Sequence, residues 1–211
     1  MKSTFILLSG AATLAIVSCE NPADNSTKAN VSDAVEVKAS ASTGQKWVFS
    51  DDSTITFVGS KVTGSHGGGF NEFSGHFVVE GDTLAASGHK VVIDMNSTFS
   101  DKEKLTEHLK AADFFNVETY PESTFEVSSI ENKIGAKGET HALTGNFTLH
   151  GVTKSIEIPV SVTKSADAIN VKADFFINRL DFGIEYAGKK DDLIRKEVVI
   201  KFDLNAKPEA K

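Results

Sequence analysis

Apolar and polar residues alternate with a period of two along most of this chain. Ile156, Ile158, Val160 and Val162 alternate with Glu157, Pro159, Ser161 and Thr163. Ile169, Val171, Ala173, Phe175 and Ile177 alternate with Asn170, Lys172, Asp174 and Phe176. The same holds for Val198, Ile200, Phe202 and Leu204, and for Leu143, Gly145, Phe147 and Leu149. Weaker versions cover 54–60, 73–79, 91–95 and 124–130. Successive side chains of a strand face opposite sides, so the pattern describes antiparallel sheet with one apolar and one wet face. About eight or nine such strands, separated by turn-rich stretches, predict a sandwich or a barrel. Pro159 cannot donate to a ladder, which predicts an edge, a bulge or a strand end there. Gly67-Gly68-Gly69 after His66 reads as a turn or flexible loop.

One segment departs from this period. Ser100-Asp101-Lys102-Glu103 has the spacing of a capping box, and Leu105, Leu109 and Ala112 then fall on one helical face. The spacing predicts a single short helix over about 101–112, set over an open end of the barrel or on its flank.

The N-terminus has a separate logic. Met1-Lys2 is a short positive stretch, and Phe5 to Val17 is apolar but too short for a membrane span of about 20 residues. Residues 1–18 are expected to be a cleaved signal peptide. Ile16-Val17-Ser18-Cys19 ends it, and Cys19 is the only cysteine, so it has no disulfide partner within the chain. This run resembles a bacterial lipobox, which implies that Cys19 is acylated and holds the protein in the bacterial envelope, on the periplasmic side or at the outer membrane. Glu20 to Gln45 contains no aromatic residue, Leu or Ile. With so little to bury, 19–45 is read as an acylated residue plus a flexible tether, its span roughly 28 Å. A folded domain is expected over 46–205, followed by a tail at 206–211.

Composition narrows the function. A net charge of −7 argues against the basic face that nucleic-acid binding requires. Fifteen Phe against two Tyr and one Trp give an apolar interior with few polar handles. The six His are scattered, with no metal-ligand spacing, and His76, His89 and His150 read as solvated. Two clusters carry what chemistry there is: His108-Leu109-Lys110-Ala111-Ala112-Asp113-Phe114-Phe115, and Asn178-Arg179-Leu180-Asp181-Phe182-Gly183. Each is either structural, with Arg179 paired to Asp181 or Asp113, or part of a ligand pocket.

At these residues the sequence resembles the YceI-like polyisoprenoid-binding family. The blocks are Phe70-x-x-Phe73-x-Gly75, His108-Leu109-x-x-Ala112-Asp113-Phe114-Phe115, Tyr120-Pro121-x-x-x-Phe125, Leu143-x-Gly145-x-x-Thr148-Leu149-x-Gly151-Val152-Thr153-Lys154 and Arg179-x-Asp181-Phe182-Gly183-Ile184. Their order covers roughly 46–205. The resemblance implies an all-β, lipocalin-like, eight-stranded antiparallel barrel holding an isoprenoid chain, such as a polyprenol or quinone-like tail. No catalytic residue, metal or other cofactor is implied. By position, Phe114, Phe115, Phe125 and Phe182 would line the lumen, with His108, Asp113 and Arg179 near its mouth. Phe57, Phe73, Phe77, Phe147, Phe175 and Leu109 complete the candidate ligand-binding set. Where family members often carry Arg-Asp before the His-Leu step, this chain has Leu105-Thr106-Glu107. Full-length strands would give a lumen near 30 Å long. The alternative reading is a protein-interaction or envelope-stress domain with a packed core and no lipid ligand.

Overall fold

The computed structural model describes residues 20–36 and 44–209. Cys19 and the expected signal peptide lie outside the described residues. Eight strands run up and down in chain order and close into an antiparallel barrel. They are β1 (Gln45–Phe49 and Thr54–Lys61), β2 (Gly64–Phe70 and Phe73–Glu80), β3 (Lys90–Asp94 and Thr98–Ser100), β4 (Glu122–Asn132), β5 (His141–Leu149), β6 (Val152–Lys164), β7 (Ile169–Asn178) and β8 (Asp192–Pro208). β8 closes the ring by pairing with β7 on one side and with both halves of β1 on the other. The alternating pattern translates directly: on β7, residues 169, 171, 173, 175 and 177 are buried and their neighbours are not.

The first three strands are each interrupted at one level. The breaks at 50–53, 71–72 and 95–97 lie side by side, and a helical turn at Met95–Ser97 fills the last. Side chains and loop amides replace the missing ladder bonds. Ser50 N donates to Asn205 O (2.8 Å), Asn205 N donates to Ser53 Oγ (3.0 Å), and Asn71 N donates to Ser97 O (3.2 Å). The breaks form a corner that folds these strands around the barrel.

Two turn readings are corrected. Gly67-Gly68-Gly69 is the middle of β2, paired with Val58, Phe57 and Thr56 of β1. A Cβ at Gly68 would lie 2.4 Å from Phe99 O and 2.5 Å from the Phe57 ring, so glycine there leaves room for an aromatic ring over the backbone. The helix, α1 (Glu103–Lys110), lies where expected, but without the capping box. Ser100 Oγ bonds the backbone of Lys102, and Ser100 N donates to Thr106 Oγ1 (2.8 Å). Ala112 lies beyond the helix and is exposed.

The largest correction concerns the tether. Residues 20–36 are ordered against the barrel: a helical turn at Pro22–Asn25 leads into short strands at Thr27–Lys28 and Asn30–Asp33. Thr27 and Lys28 run parallel to Phe175 and Phe176 of β7, and Asn30–Asp33 run antiparallel to Glu157–Lys154 of β6. Ala23 and Ala29 are buried. A strand can be held by its backbone ladder with only small side chains facing inward, and such a segment looks disordered by composition. The expected tail likewise enters β8: Ala206, Lys207 and Pro208 pair with Phe49, Val48 and Trp47.

Pro159 sits at the junction this segment creates. β6 pairs with β7 only over Ser161–Lys164, and with the N-terminal segment over Lys154–Glu157. Val160 O accepts from Thr140 N on the β5 side, so the backbone of Pro159 faces the β7 side, where its missing N–H falls between the two ladders.

Candidate functional site

The barrel holds a lumen in the half nearest α1. It encloses a cavity of about 130 Å³. Its lining is apolar almost throughout: Ile156 and Ile158 from β6, Phe175 and Ile177 from β7, Val198, Ile200, Phe202 and Leu204 from β8. The opposite end is plugged by Trp47, Phe77, Val79, Ile169, Val171 and Ala206, all buried. The lumen is thus shorter than the expected 30 Å. Its lining on β8 spans Val198 to Leu204, about 20 Å of strand at ~3.3 Å per residue.

An aromatic stopper closes the α1 end. Phe115 stands 6.3 Å from Phe57, 6.4 Å from Phe70 and 5.2 Å from Phe114, measured between ring centres. Leu109 points from α1 into the same space. His108 and Asp113 lie on the outer side of this stopper. His108 Nε2 is 3.1 Å from Asp113 Oδ2, and its ring meets Tyr186 edge-on at 4.6 Å.

Arg179 is the one cation among the lining residues, and it is 4% exposed. Its guanidinium donates to backbone carbonyls: Nε to Arg195 O (3.1 Å), Nη2 to Ile194 O (3.3 Å) and Nη1 to Ile184 O. Among the described residues no carboxylate forms an ion pair with it. Asp181 instead accepts from Asn178 Nδ2 (3.2 Å), and Asp113 is taken by His108, so both expected pairings are replaced. Burial pushes the Arg179 pKa down from its usual value. A charge buried without a counter-charge is costly, and here three carbonyl dipoles meet it.

Eight of the candidate residues therefore face the lumen: Phe57, Leu109, Phe114, Phe115, Phe125, Phe147, Phe175 and Arg179. Phe77 does not, because it belongs to the plug, 5.1 Å from Phe49. Phe182 is not part of the lining; it is fully buried in the core, 5.2 Å from Phe147. Phe73 is half-buried against the core, outside the lining. His108 and Asp113 sit outside the stopper. Met95, Phe70 and Ile184 line the lumen but were not among the candidates. Phe70 was hidden by the glycines before it, and Ile184 by a loop without period. The inward phase of the alternation already marked Ile156, Ile158, Val198 and Ile200.

The histidines also differ from expectation. His89 is buried: Val78 N donates to its Nδ1 (2.9 Å) and its Nε2 lies 2.8 Å from Ala85 O. Burial pushes its pKa below the usual value. His150 occupies a tight turn with Gly151, both at positive φ, where its ring meets Tyr120 at 4.9 Å. Among the described residues, no group of three or more His, Cys, Asp and Glu could hold a metal ion.

Comparison with known proteins gives a consistent picture. A YceI-like domain matches residues 47–206. Relatives include a "UPF0312 protein" of Pseudomonas aeruginosa, 35% identical over 100 residues, covering 47% of this chain and 50% of the relative. Another, of Pectobacterium carotovorum, is 32% identical over the same shares. The chain spans about half the length of these curated relatives. Among solved structures, BcnA of Burkholderia cenocepacia is 25% identical with a TM-score of 0.62, over 73% of this chain and 96% of that one. A polyisoprenoid binding domain from Saccharophagus degradans has a TM-score of 0.63 at 19% identity, over 79% of this chain and 100% of its own.

Proposed function

We propose, for a chain that belongs to the YceI-like domain family, that the barrel binds a long isoprenoid lipid and sequesters or carries it, without covalent chemistry. The observation that carries this reading is the dry lumen, closed at one end and stoppered by aromatic rings at the other. A branched hydrocarbon chain fits such a channel, whereas a compact polar substrate would leave its groups unpaired there. Each buried CH₂ contributes about 0.8 kcal/mol. About four isoprene units, roughly 16 kcal/mol, therefore offset an association cost of about 4–15 kcal/mol. The headgroup stays at the α1 end, where Arg179 is the charged group on the lumen wall. A domain with a packed core, the alternative, is disfavoured by the same lumen. Acylation of Cys19 would hold the barrel at the membrane of the bacterial envelope, where such lipids reside.

The test is direct. The purified protein is extracted with organic solvent and the extract is analysed by mass spectrometry, before and after incubation with polyprenol in detergent micelles. A stoichiometric isoprenoid in either extract is expected. Protein that stays folded and yields none in both would overturn the reading.

A further inference from the structure

The geometry points to residues 27–33 as a removable stave of the barrel wall, whose departure opens a lateral portal for an apolar chain to enter the lumen. The inference rests on the lipid-binding reading above. β6 and β7 pair with each other only between Ser161–Lys164 and Lys172–Ile169. Beyond that they part, and the N-terminal segment lies between them, with Thr27 and Lys28 against β7 and Asn30–Asp33 against β6. Thr27 and Lys28 hold the β7 edge and Asn30–Asp33 the β6 edge, so the segment stands where a direct β6–β7 ladder is missing. The gap leads inward, because Ile156, Ile158, Phe175 and Ile177 on its two banks all line the lumen.

The stave itself is built to fit rather than to grip. Thr27, Ala29 and Val31 face inward and their neighbours outward, but the side chains are small. Ala29 N donates to Phe176 O (2.9 Å). Beyond its short ladders with β6 and β7, its ties are polar and near the surface: Ser26 to Asp174, Lys137 to Asn25 O, Asn30 Nδ2 to Glu157 Oε1 (3.3 Å), Lys154 to Asp33 (3.0 Å), whose carboxylate is fully solvated, and Val35 with Asn146 (3.0 and 2.7 Å). Neighbouring β7, by contrast, pairs with β8 over ten consecutive residues, Ile169 to Asn178. Pro159 keeps the gap from zipping shut when the stave leaves, since it has no N–H to give β7. The stave also lies outside the stretch 47–206 shared with the family, as an addition to a barrel that closes elsewhere by its own strands. With the α1 end stoppered by Phe114 and Phe115, a side entrance spares the ligand from displacing the stopper.

The experiment locks the stave. Asn30→Cys and Glu157→Cys, register partners on the outer face, are combined with Cys19→Ser so that no third thiol competes. Initial uptake of radiolabelled polyprenol from phosphatidylcholine vesicles is measured for the oxidised and reduced forms. At least tenfold slower uptake in the oxidised form, the same final occupancy and recovery on reduction are expected. Equal rates in two forms that both load would overturn the portal while leaving lipid binding intact. No loading in either form, or in the wild type, removes the lipid reading and the portal with it. Should the cross-link fail to form, hydrogen exchange on the wild-type protein decides the matter. The Ala29 amide is expected to exchange at least tenfold faster than buried amides of the β7–β8 ladder, and equal protection would sink the idea.

Discussion

Two phenylalanines with nearly equal burial separate a hollow barrel from a filled one. Phe125 is 8% exposed and lines the lumen; Phe182 is 0% exposed and packs in the core against Phe147, outside the lining. By burial alone the two alanine variants cost the same. Phe182→Ala removes a side chain packed on all sides and leaves a new void, which costs about 3–5 kcal/mol. Phe125→Ala enlarges space already present, so it loses mainly the transfer free energy of the ring, about 1.5–3 kcal/mol. The expected gap is about 2 kcal/mol, or about 4–8 °C in Tm for a domain of this size. Urea unfolding followed by the single tryptophan, Trp47, which is buried in the plug, measures both with unchanged m-values as the control. Adding polyprenol should raise the Tm of the wild type more than that of Phe125→Ala. Losses that agree within about 0.5 kcal/mol in lipid-free protein would refute the reasoning, because the lumen would then be packed like the rest of the core.

Other expectations follow from single sites. His89 is buried and accepts from Val78 N, so its folded pKa lies below its unfolded one and the unfolded chain binds the extra proton. The stability it contributes is present above about pH 6.5 and is lost as pH falls toward the folded pKa, with a slope up to ~1.4 kcal/mol per pH unit. His89→Gln should flatten that slope between pH 7 and 5 in urea titrations, and unchanged slopes would contradict the assignment. Gly145→Ala would set a Cβ 2.4 Å from Glu126 O, beside the bulge of β4 at Val127–Ser129, and should cost about 1–3 kcal/mol by thermal melt. Asp113→Asn breaks an exposed pair with His108 and should change stability by less than about 1 kcal/mol; a larger loss would make the pair part of the stopper.

The barrel was legible in the sequence because its strands have one wet face, and β5 through β8 carry that alternation over ten residues or nearly so. The lumen-lining aromatics Phe57, Phe125, Phe147 and Phe175 followed from the same pattern and the family blocks. Two features did not follow. The first half of β2 was concealed because its glycines leave room for aromatic rings supplied by β1 and β3, a dependence invisible within the strand. Arg179 was expected to pair with Asp181 or Asp113, but the turn at Arg179–Phe182 aims it instead at carbonyls of Ile194 and Arg195 near the start of β8.

Alternation, the helix and the apolar Phe-rich interior are local properties, written in the order of residues and enough to specify an antiparallel β domain. Whether that interior is hollow is a property of how far the eight strands stand apart at each level, and only closure of the ring decides it. The same holds for residues 20–36. Their composition predicts disorder because it offers little to bury, yet a gap between β6 and β7 supplies backbone partners on both sides, and those exist only once the barrel has formed.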